Sequence, residues 1–318
     1  MKKSILFLAS MLVLATSCYE DYVRDFDYSA VFIAYQYDMR TFVLDEGGKF
    51  NLSVALSGVM QNDEDRNVEI IMEPALLDGA VANLKNLDMV SGEYVASAMT
   101  AAGISELKLL PEEYYTVEGM EGLYIPKGQH TAAITLRATE QIKSDPKVFA
   151  PYYALAFRVI EAEADTLVQG KDFAVIAVKC ENRFYGNWSR SGKVLTYDAS
   201  GNQVSSSYEA KSLADEKCYT LTTVNATKLE VNRVAGSSGS MELTFDGDQI
   251  AVSSADGSVS GTGRFDGNKL LQSRRLFLNY TVTDAAGGRS EVTDTLYFRN
   301  RIRDGVNEWI DENPENYK

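Results

Sequence analysis

Residues 241–267 read MELTFDGDQIAVSSADGSVSGTGRFDG. Three Asp-Gly pairs, Asp246-Gly247, Asp256-Gly257 and Asp266-Gly267, recur at ten-residue spacing. Asp-Gly suits a tight hairpin turn because both central positions of that turn take positive φ. Between the pairs lie short runs with the period-two alternation of half-buried strands. The expected strands are Met241–Phe245, Gln249–Ser253 and Val259–Phe265. Working outward, Arg275–Val282 and Glu291–Phe298 continue the pattern, with turns at Gly287-Gly288 and, upstream, at Asp198-Ala199-Ser200-Gly201. A meander of about eight such strands closes most economically as an up-and-down barrel, which removes exposed edges. A flat or sandwiched meander is the alternative. This unit is assigned to residues 182–318. Beyond Arg299 the chain turns polar and acidic around Trp309, and a short helix or strap is expected there.

The preceding segment, residues 29–181, has a different rhythm. Ala30 to Tyr37 reads as one buried strand. Phe50, Leu52, Val54 and Leu56 alternate after the Gly47-Gly48 turn, and Val68, Ile70 and Met72 alternate again. Between them lies a polar loop, Gln61 to Asp65. Tyr114 to Glu118, Leu123 to Pro126, Ala133 to Arg137, Tyr153 to Val159 and Phe173 to Cys180 complete the set. Many short strands with turn signals between them predict a β-sandwich. Ala75 to Asn86 is the one stretch read as helical. The fold class is therefore all-β, a sandwich followed by an antiparallel barrel.

The N-terminus carries an address. Lys2 and Lys3 precede an apolar run from Ile5 to Ala15 that is too short to cross a bilayer, which takes about 20 residues, yet right for a signal-peptide core. The run ends Leu14-Ala15-Thr16-Ser17-Cys18, with small residues before a cysteine, as in bacterial lipoproteins. Residues 1–17 are expected to be cleaved, Cys18 to carry the lipid that anchors the chain to a membrane, and residues 18–28 to form an acidic tether. An ordinary secretory signal with Cys18 as a spare thiol is the alternative.

Net charge is −14, and losing Lys2 and Lys3 takes it to −16. With no Lys/Arg cluster, such a chain is a poor partner for nucleic acid, where phosphate neutralisation dominates affinity, and for polyanions generally. Besides Cys18 there are only Cys180 and Cys218, which export permits to pair. Two small buried side chains are the simpler reading. His130 is the single histidine, so any mechanism with a His base must use it, and with no Gly-x-Ser-x-Gly elbow present neither a His triad nor a multi-His metal site is expected. Asn62-Asp63-Glu64-Asp65 and Asp45-Glu46 offer oxygen ligands for calcium but lack the EF-hand pattern, and solvated turns account for them. With 45 acids a chance carboxylate pair is certain and none is singled out. No catalytic residue, metal or cofactor is assigned.

Several stretches resemble a family of Bacteroidota surface lipoproteins from polysaccharide-utilisation loci. They are Gly48 to Gly58 (GKFNLSVALSG), Leu110 to Val117 (LPEEYYTV), Ile125 to Gly128 (IPKG) and Tyr153 to Val159 (YALAFRV), with Ala156 where the family usually has proline. The resemblance covers roughly residues 30 to 180 and implies an Ig-like sandwich. Tyr185-Gly186-Asn187-Trp188 is similar to the Gly-x-Trp feature of calycins, which implies a lipocalin-like barrel with Trp188 as a structural plug. Tyr19-Glu20-Asp21-Tyr22 resembles the acidic signal that sends such lipoproteins to the outer face of the outer membrane. Asp165-Thr166-Leu167 and Asp294-Thr295-Leu296 resemble O-glycosylation sites of exported proteins in that phylum, and plain strand residues read equally well. The family implies non-catalytic capture or handling of complex glycans, beside outer-membrane transporter components.

Sugar binding needs an exposed aromatic plane flanked by hydrogen-bonding groups. Among the 18 tyrosines and two tryptophans, the candidates carried forward are Trp309, Tyr35, Tyr37, Tyr115 and Tyr152. Tyr35 and Tyr37 are expected on one face of one strand. Three other roles remain open at this point: an interaction subunit of a surface complex without sugar affinity, a glycosidase working through a carboxylate pair, and a barrel holding a small apolar ligand.

Overall fold

The computed structural model describes residues 28–311 apart from 86–89, 210–217, 236 and 238. Cys18, the signal and all but the end of the acidic tether lie outside the described residues. No helix among those described is long and apolar enough to cross a membrane.

The first half is a pair of facing sheets. Its strands are β1 (Ala30–Ile33), β2 (Tyr37–Val43), β3 (Lys49–Ser57), β4 (Arg66–Met72), β5 (Lys108–Leu109), β6 (Tyr115–Glu118), β7 (Tyr124–Ile125), β8 (Thr131–Ala138), β9 (Tyr153–Ala162), β10 (Thr166–Leu167) and β11 (Phe173–Glu181). One sheet runs β10-β1-β3-β8-β6, the other β2-β11-β9-β4-β7 with β5 added beside β9. Alternate residues of β3 (Phe50, Leu52, Val54 and Leu56) meet Phe42, Leu155, Phe157 and Ile176 between the sheets. Burying such side chains contributes about 1.5–3 kcal/mol each.

Ala30 to Tyr37 is not one strand. It breaks after Ile33, and β1 and β2 belong to different sheets. The Gln36 side chain donates to the Ile33 carbonyl (2.7 Å), closing the bend. The helical expectation also needs correction. A 3-10 turn (Pro74–Leu77) precedes α1 (Ala80–Lys85), and the longer helix is α2 (Val90–Ala101). It ends with Gly103 N–H on Thr100 O and Ile104 N–H on Met99 O, the paired bonds of a Schellman stop. Leu84, Val95, Met99 and Ile104 cover the outer face of the second sheet at Met39, Ala154, Ala156, Val175 and Ala177. That sheet is buried on both faces, so β9 and β11 read as continuous apolar runs. Ala156 is small where helix and sheet meet.

The second half closes as expected. Its strands are β12 (Gly186–Tyr197), β13 (Gln203–Glu209), β14 (Cys218–Thr223), β15 (Lys228–Val231), β16 (Met241–Asp246), β17 (Gln249–Ser253), β18 (Val259–Phe265), β19 (Arg275–Thr283), β20 (Arg289–Arg303) and β21 (Val306–Glu308). β12 and β14 through β20 form an eight-stranded antiparallel barrel, sealed by β12 against β20. β13 pairs along the second part of β12. The three Asp-Gly pairs join consecutive antiparallel strands, as expected, but through connections of different length. Only Gly247-Asp248 is a two-residue loop, while five residues link β17 to β18 and a 3-10 turn, Leu271–Ser273, interrupts the connection to β19. The described part of the tail, to residue 311, is a hairpin rather than the expected helix or strap. β20 runs on to Arg303 and folds back through Asp304-Gly305 into β21.

Large buried side chains pack inside the barrel. Trp188 is fully buried, donates from Nε1 to Phe184 O (3.0 Å) and meets the Phe298 ring edge-on at 5.4 Å. Phe184 stacks on Phe245 at 4.5 Å. Further along, Arg190 donates from Nε to Asp294 Oδ1 (2.9 Å), and Tyr280 donates to Asp294 Oδ2 (2.9 Å). Gly192 makes room for this pair: a Cβ there would lie 2.1 Å from Asp294 Oδ1 and 2.7 Å from Thr293 O. Gly192→Ala is expected to destabilise the protein by about 1–3 kcal/mol through overpacking, seen as a lower thermal midpoint. An unchanged midpoint would show that the pair can shift freely.

Candidate functional site

One buried carboxylate of the sandwich, Glu46, is held by two arginines of the barrel half. Between β2 and β3 the loop Leu44–Gly48 turns sharply, with Asp45, Gly47 and Gly48 at φ values of 61°, 81° and 41°. This backbone aims Glu46 at the barrel. Its Oε2 accepts from Arg301 Nη2 (2.9 Å) and its Oε1 from Arg274 Nη1. The side chains of Glu46, Arg274 and Arg301 are 4, 3 and 1% exposed. Arg274 also donates to Arg183 O (3.0 Å) and Lys269 O (2.6 Å), and Arg301 to Glu308 Oε2 (2.7 Å). Burial alone pushes the Glu46 carboxyl up, but the two guanidiniums outweigh it and hold the group below the usual carboxylate range. Glu46 is thus neither a calcium ligand nor a solvated turn.

The other proposed calcium loop is also accounted for. Asn62 donates to Pro126 O and Gln129 O, Asp65 accepts from Lys127 N–H, and Glu64 pairs with Arg66. Among the described residues no cluster of three metal-ligating side chains occurs.

Arg301 is fixed because it sits on the C-terminal hairpin. Asp304 and Gly305 take φ of 52° and 78°, the double positive-φ turn that Asp-Gly favours. The hairpin leans on the sandwich through Asp304, whose carboxylate lies 3.9 Å from Arg40. Burial pushes the Asp304 carboxyl up to about 6, against the pull of Arg40 and Arg303 and with the like charge of Asp38 adding to it.

Sandwich loop and barrel hairpin together wall a cleft of about 430 Å³, within the range of about 300–1,000 Å³ for small-ligand sites. Lys49 and Arg137 line it from the sandwich, and Arg303, Asn307 and Trp309 from the hairpin and its exit. Trp309 is 62% exposed. Val306 and Ile310, also exposed, flank it. The cleft's acids are engaged: Glu308 by Arg301 and by Arg303 (2.6 Å), Asp311 by the Leu271 N–H (2.6 Å), and Glu46 as above.

Of the five aromatic candidates, the structure brings only Trp309 to this cleft. Tyr35 is exposed, but in the bend before β2, so it does not share a strand face with Tyr37. Tyr37 is half-buried, edge-on to Phe173 at 5.7 Å, and its hydroxyl accepts from Asn83. Tyr115 is buried with its hydroxyl on Met72 S, so its ring offers no plane to a sugar. Tyr152 is half-buried against Tyr153 at 4.9 Å, with Lys147 over its ring. His130 donates to Val59 O (3.1 Å), and Cys180 and Cys218 are free thiols. Asp165 accepts from Ser29 N and Oγ, and Asp294 lies inside the barrel, so both Asp-Thr-Leu segments have structural duties. With large side chains filling the barrel, the reading of an internal small apolar ligand is withdrawn.

Residues 26–166 match a family model described as a "-like, N-terminal domain". No curated protein matches the chain. A solved protein of unknown function from Bacteroides ovatus aligns with TM-score 0.62 at 20% identity, covering 90% of this chain and 99% of that one. The two share a fold. A second Bacteroides ovatus protein of unknown function aligns with TM-score 0.43 at 15% identity, over 90% of this chain and 100% of that one. A Bacteroides thetaiotaomicron protein described as an auxiliary nutrient binding protein aligns with TM-score 0.38 at 13% identity, over 87% of this chain and 95% of that one.

Two outcomes follow from the junction. Asp304 binds its proton more tightly folded, at about 6, than at its ordinary value of 3.8. Its contribution to stability is therefore greatest below 3.8 and is lost as pH rises through 6. Asp304→Asn is expected to remove a pH-dependent component on the order of 3 kcal/mol from urea titrations across that window, and an unaltered profile would refute the assignment. Arg301→Met, which strips Glu46 and Glu308 of a partner, is expected to lose about 3–5 kcal/mol in the same titrations.

Proposed function

We propose that the protein is a lipoprotein held at the outer membrane through Cys18, exposed at the cell surface, that binds or helps handle complex glycans without catalysing their cleavage. It works alongside outer-membrane transporter components. The observation that carries this reading is Trp309, a large ring left mostly in solvent on the wall of a cleft rich in side-chain donors. Sugar C–H faces pack on such a plane, and Lys49, Arg137, Arg303 and Asn307 supply the hydrogen bonds that fix orientation. The Ig-like and lipocalin-like character of the two units belongs to the same proposal. It rests on the family resemblance of the sandwich segments and on the Gly186-Asn187-Trp188 feature, whose tryptophan plugs the barrel.

The absence of catalysis is supported by the same acids. Glycoside hydrolysis needs one carboxyl kept protonated and a second free to act as base or nucleophile. Glu46, Glu308 and Asp311 are instead tied to guanidiniums or a backbone N–H, and Glu46 is held ionised.

A second reading, a protein-interaction subunit without sugar affinity, is favoured by exposed Val306 and Ile310 beside Trp309. Native affinity electrophoresis against host and plant glycans separates the two. Retarded migration with at least one glycan, abolished by Trp309→Ala, is expected, and no retardation by any glycan would favour the interaction subunit. For the anchor, radiolabelled palmitate is expected to enter the wild-type chain and not Cys18→Ala. Equal labelling of both would refute lipidation at that thiol.

A further inference from the structure

The whole chain carries a net charge of −14, yet the cleft beside Trp309 presents cations. Every acid lining it is consumed by the protein. Both oxygens of Glu308 are taken by Arg301 (2.7 Å) and Arg303 (2.6 Å), both oxygens of Glu46 by Arg301 and Arg274, and Asp311 accepts from the Leu271 N–H. The cations are not consumed in the same way. Lys49 is exposed and makes no ion pair among the described residues. Arg137 spends Nη1 on Gly47 O (3.1 Å) and Nε on Glu118 at 3.4 Å, leaving Nη2. Arg303 gives Nη2 to Glu308. A guanidinium has five N–H donors in a planar fork, and each arginine keeps some in reserve. Lys49 and Arg137 lie on neighbouring strands as a direct register pair, β3 to β8, so their heads project from one sheet face.

Building on the glycan-binding reading above, we infer that the cleft selects an anionic saccharide. The acidic group, a uronate-type carboxylate or a sulfate ester, meets Lys49, Arg137 and Arg303 while the ring of that sugar or its neighbour packs on Trp309. Charge-assisted bonds from arginine to an oxyanion are about twice as strong as neutral ones and match its geometry. The acidic remainder of the surface sharpens the choice. It repels a polyanion everywhere except at a place where cations outnumber free acids, so binding is local rather than diffuse.

The test uses the full chain in native gels containing polygalacturonate, its carboxyl-reduced neutral form, dextran sulfate or plain dextran. Retardation by polygalacturonate identifies the carboxylate and retardation by dextran sulfate the sulfate ester. In either case the neutral counterpart is expected to retard at least tenfold less, and added salt to weaken binding. Lys49→Ala, an exposed change with an unaltered melt, is expected to weaken binding to the acidic polymer several-fold, and Lys49→Ala/Arg137→Ala at least tenfold. Equal retardation by acidic and neutral forms, with no effect of either variant, overturns the charge selectivity and leaves glycan binding standing. Retardation by none of the four polymers, together with none by the wider glycan panel, removes both.

Discussion

A buried carboxylate held between two guanidiniums organises this molecule. Removing Glu46, Arg274 and Arg301 from water is expensive, and their mutual attraction compensates only when the geometry is good and remaining donors are satisfied. The carbonyls of Arg183 and Lys269 and the carboxylate of Glu308 take most of the remaining donors, and Arg301 Nη1 alone in this group stays without a hydrogen-bond partner, its guanidinium lying over the Tyr185 ring at 5.1 Å. Each group comes from a different element: the loop between β2 and β3, the connection before β19, and the end of β20. The contact therefore fixes the sandwich against the barrel and holds the C-terminal hairpin at the angle that opens a cleft. Lys49 and Arg137 reach the cleft from one side, Arg303 and Trp309 from the other.

The barrel's own construction explains why a site forms outside it. Closure by β12 against β20 removes the sheet edges, and the interior is filled by Trp188, Phe184, Phe245, Phe265 and Phe298 near one end. The Arg190–Asp294–Tyr280 network, with Gly192 beneath it, occupies the middle. A barrel packed this way is a rigid support. The extension of β20 beyond the wall is free of barrel register and meets the sandwich, and the proposed binding surface lies there.

The sequence made the barrel legible because its signals are local. The alternation in Met241–Phe245 and Gln249–Ser253 and the punctuation by glycine depend on neighbours a few residues apart. The sandwich strands were readable for the same reason, and so was Trp309 as an aromatic that no local core explains. What escaped was mostly non-local. Glu46 sits in a charged turn that reads as solvated, because its partners lie 228 and 255 residues away. The break at Gln36 depends on which sheet each half of the segment joins, which periodicity does not encode. Helix α2 escaped because the large side chains seen to pack on the sheet, Tyr94, Val95 and Met99, are spaced among small and polar residues and form no regular stripe of 3.6-residue period. The C-terminal hairpin is a different case. Asp304-Gly305 is the same turn signal that decided the barrel, and reading it would have replaced the expected strap with β21. The overall negative charge likewise averaged away the few cations that gather at the cleft.

The most direct test of the account is backbone hydrogen exchange of the full chain, comparing wild type with Glu46→Gln. If the buried carboxylate couples the two halves, protection falls at Arg301–Glu308 and around Arg274, while β3 and β8 inside the sandwich and β16 to β18 inside the barrel keep theirs. Equal protection of the hairpin in both proteins would contradict the account, because the cleft would then be built by something other than this ion pair.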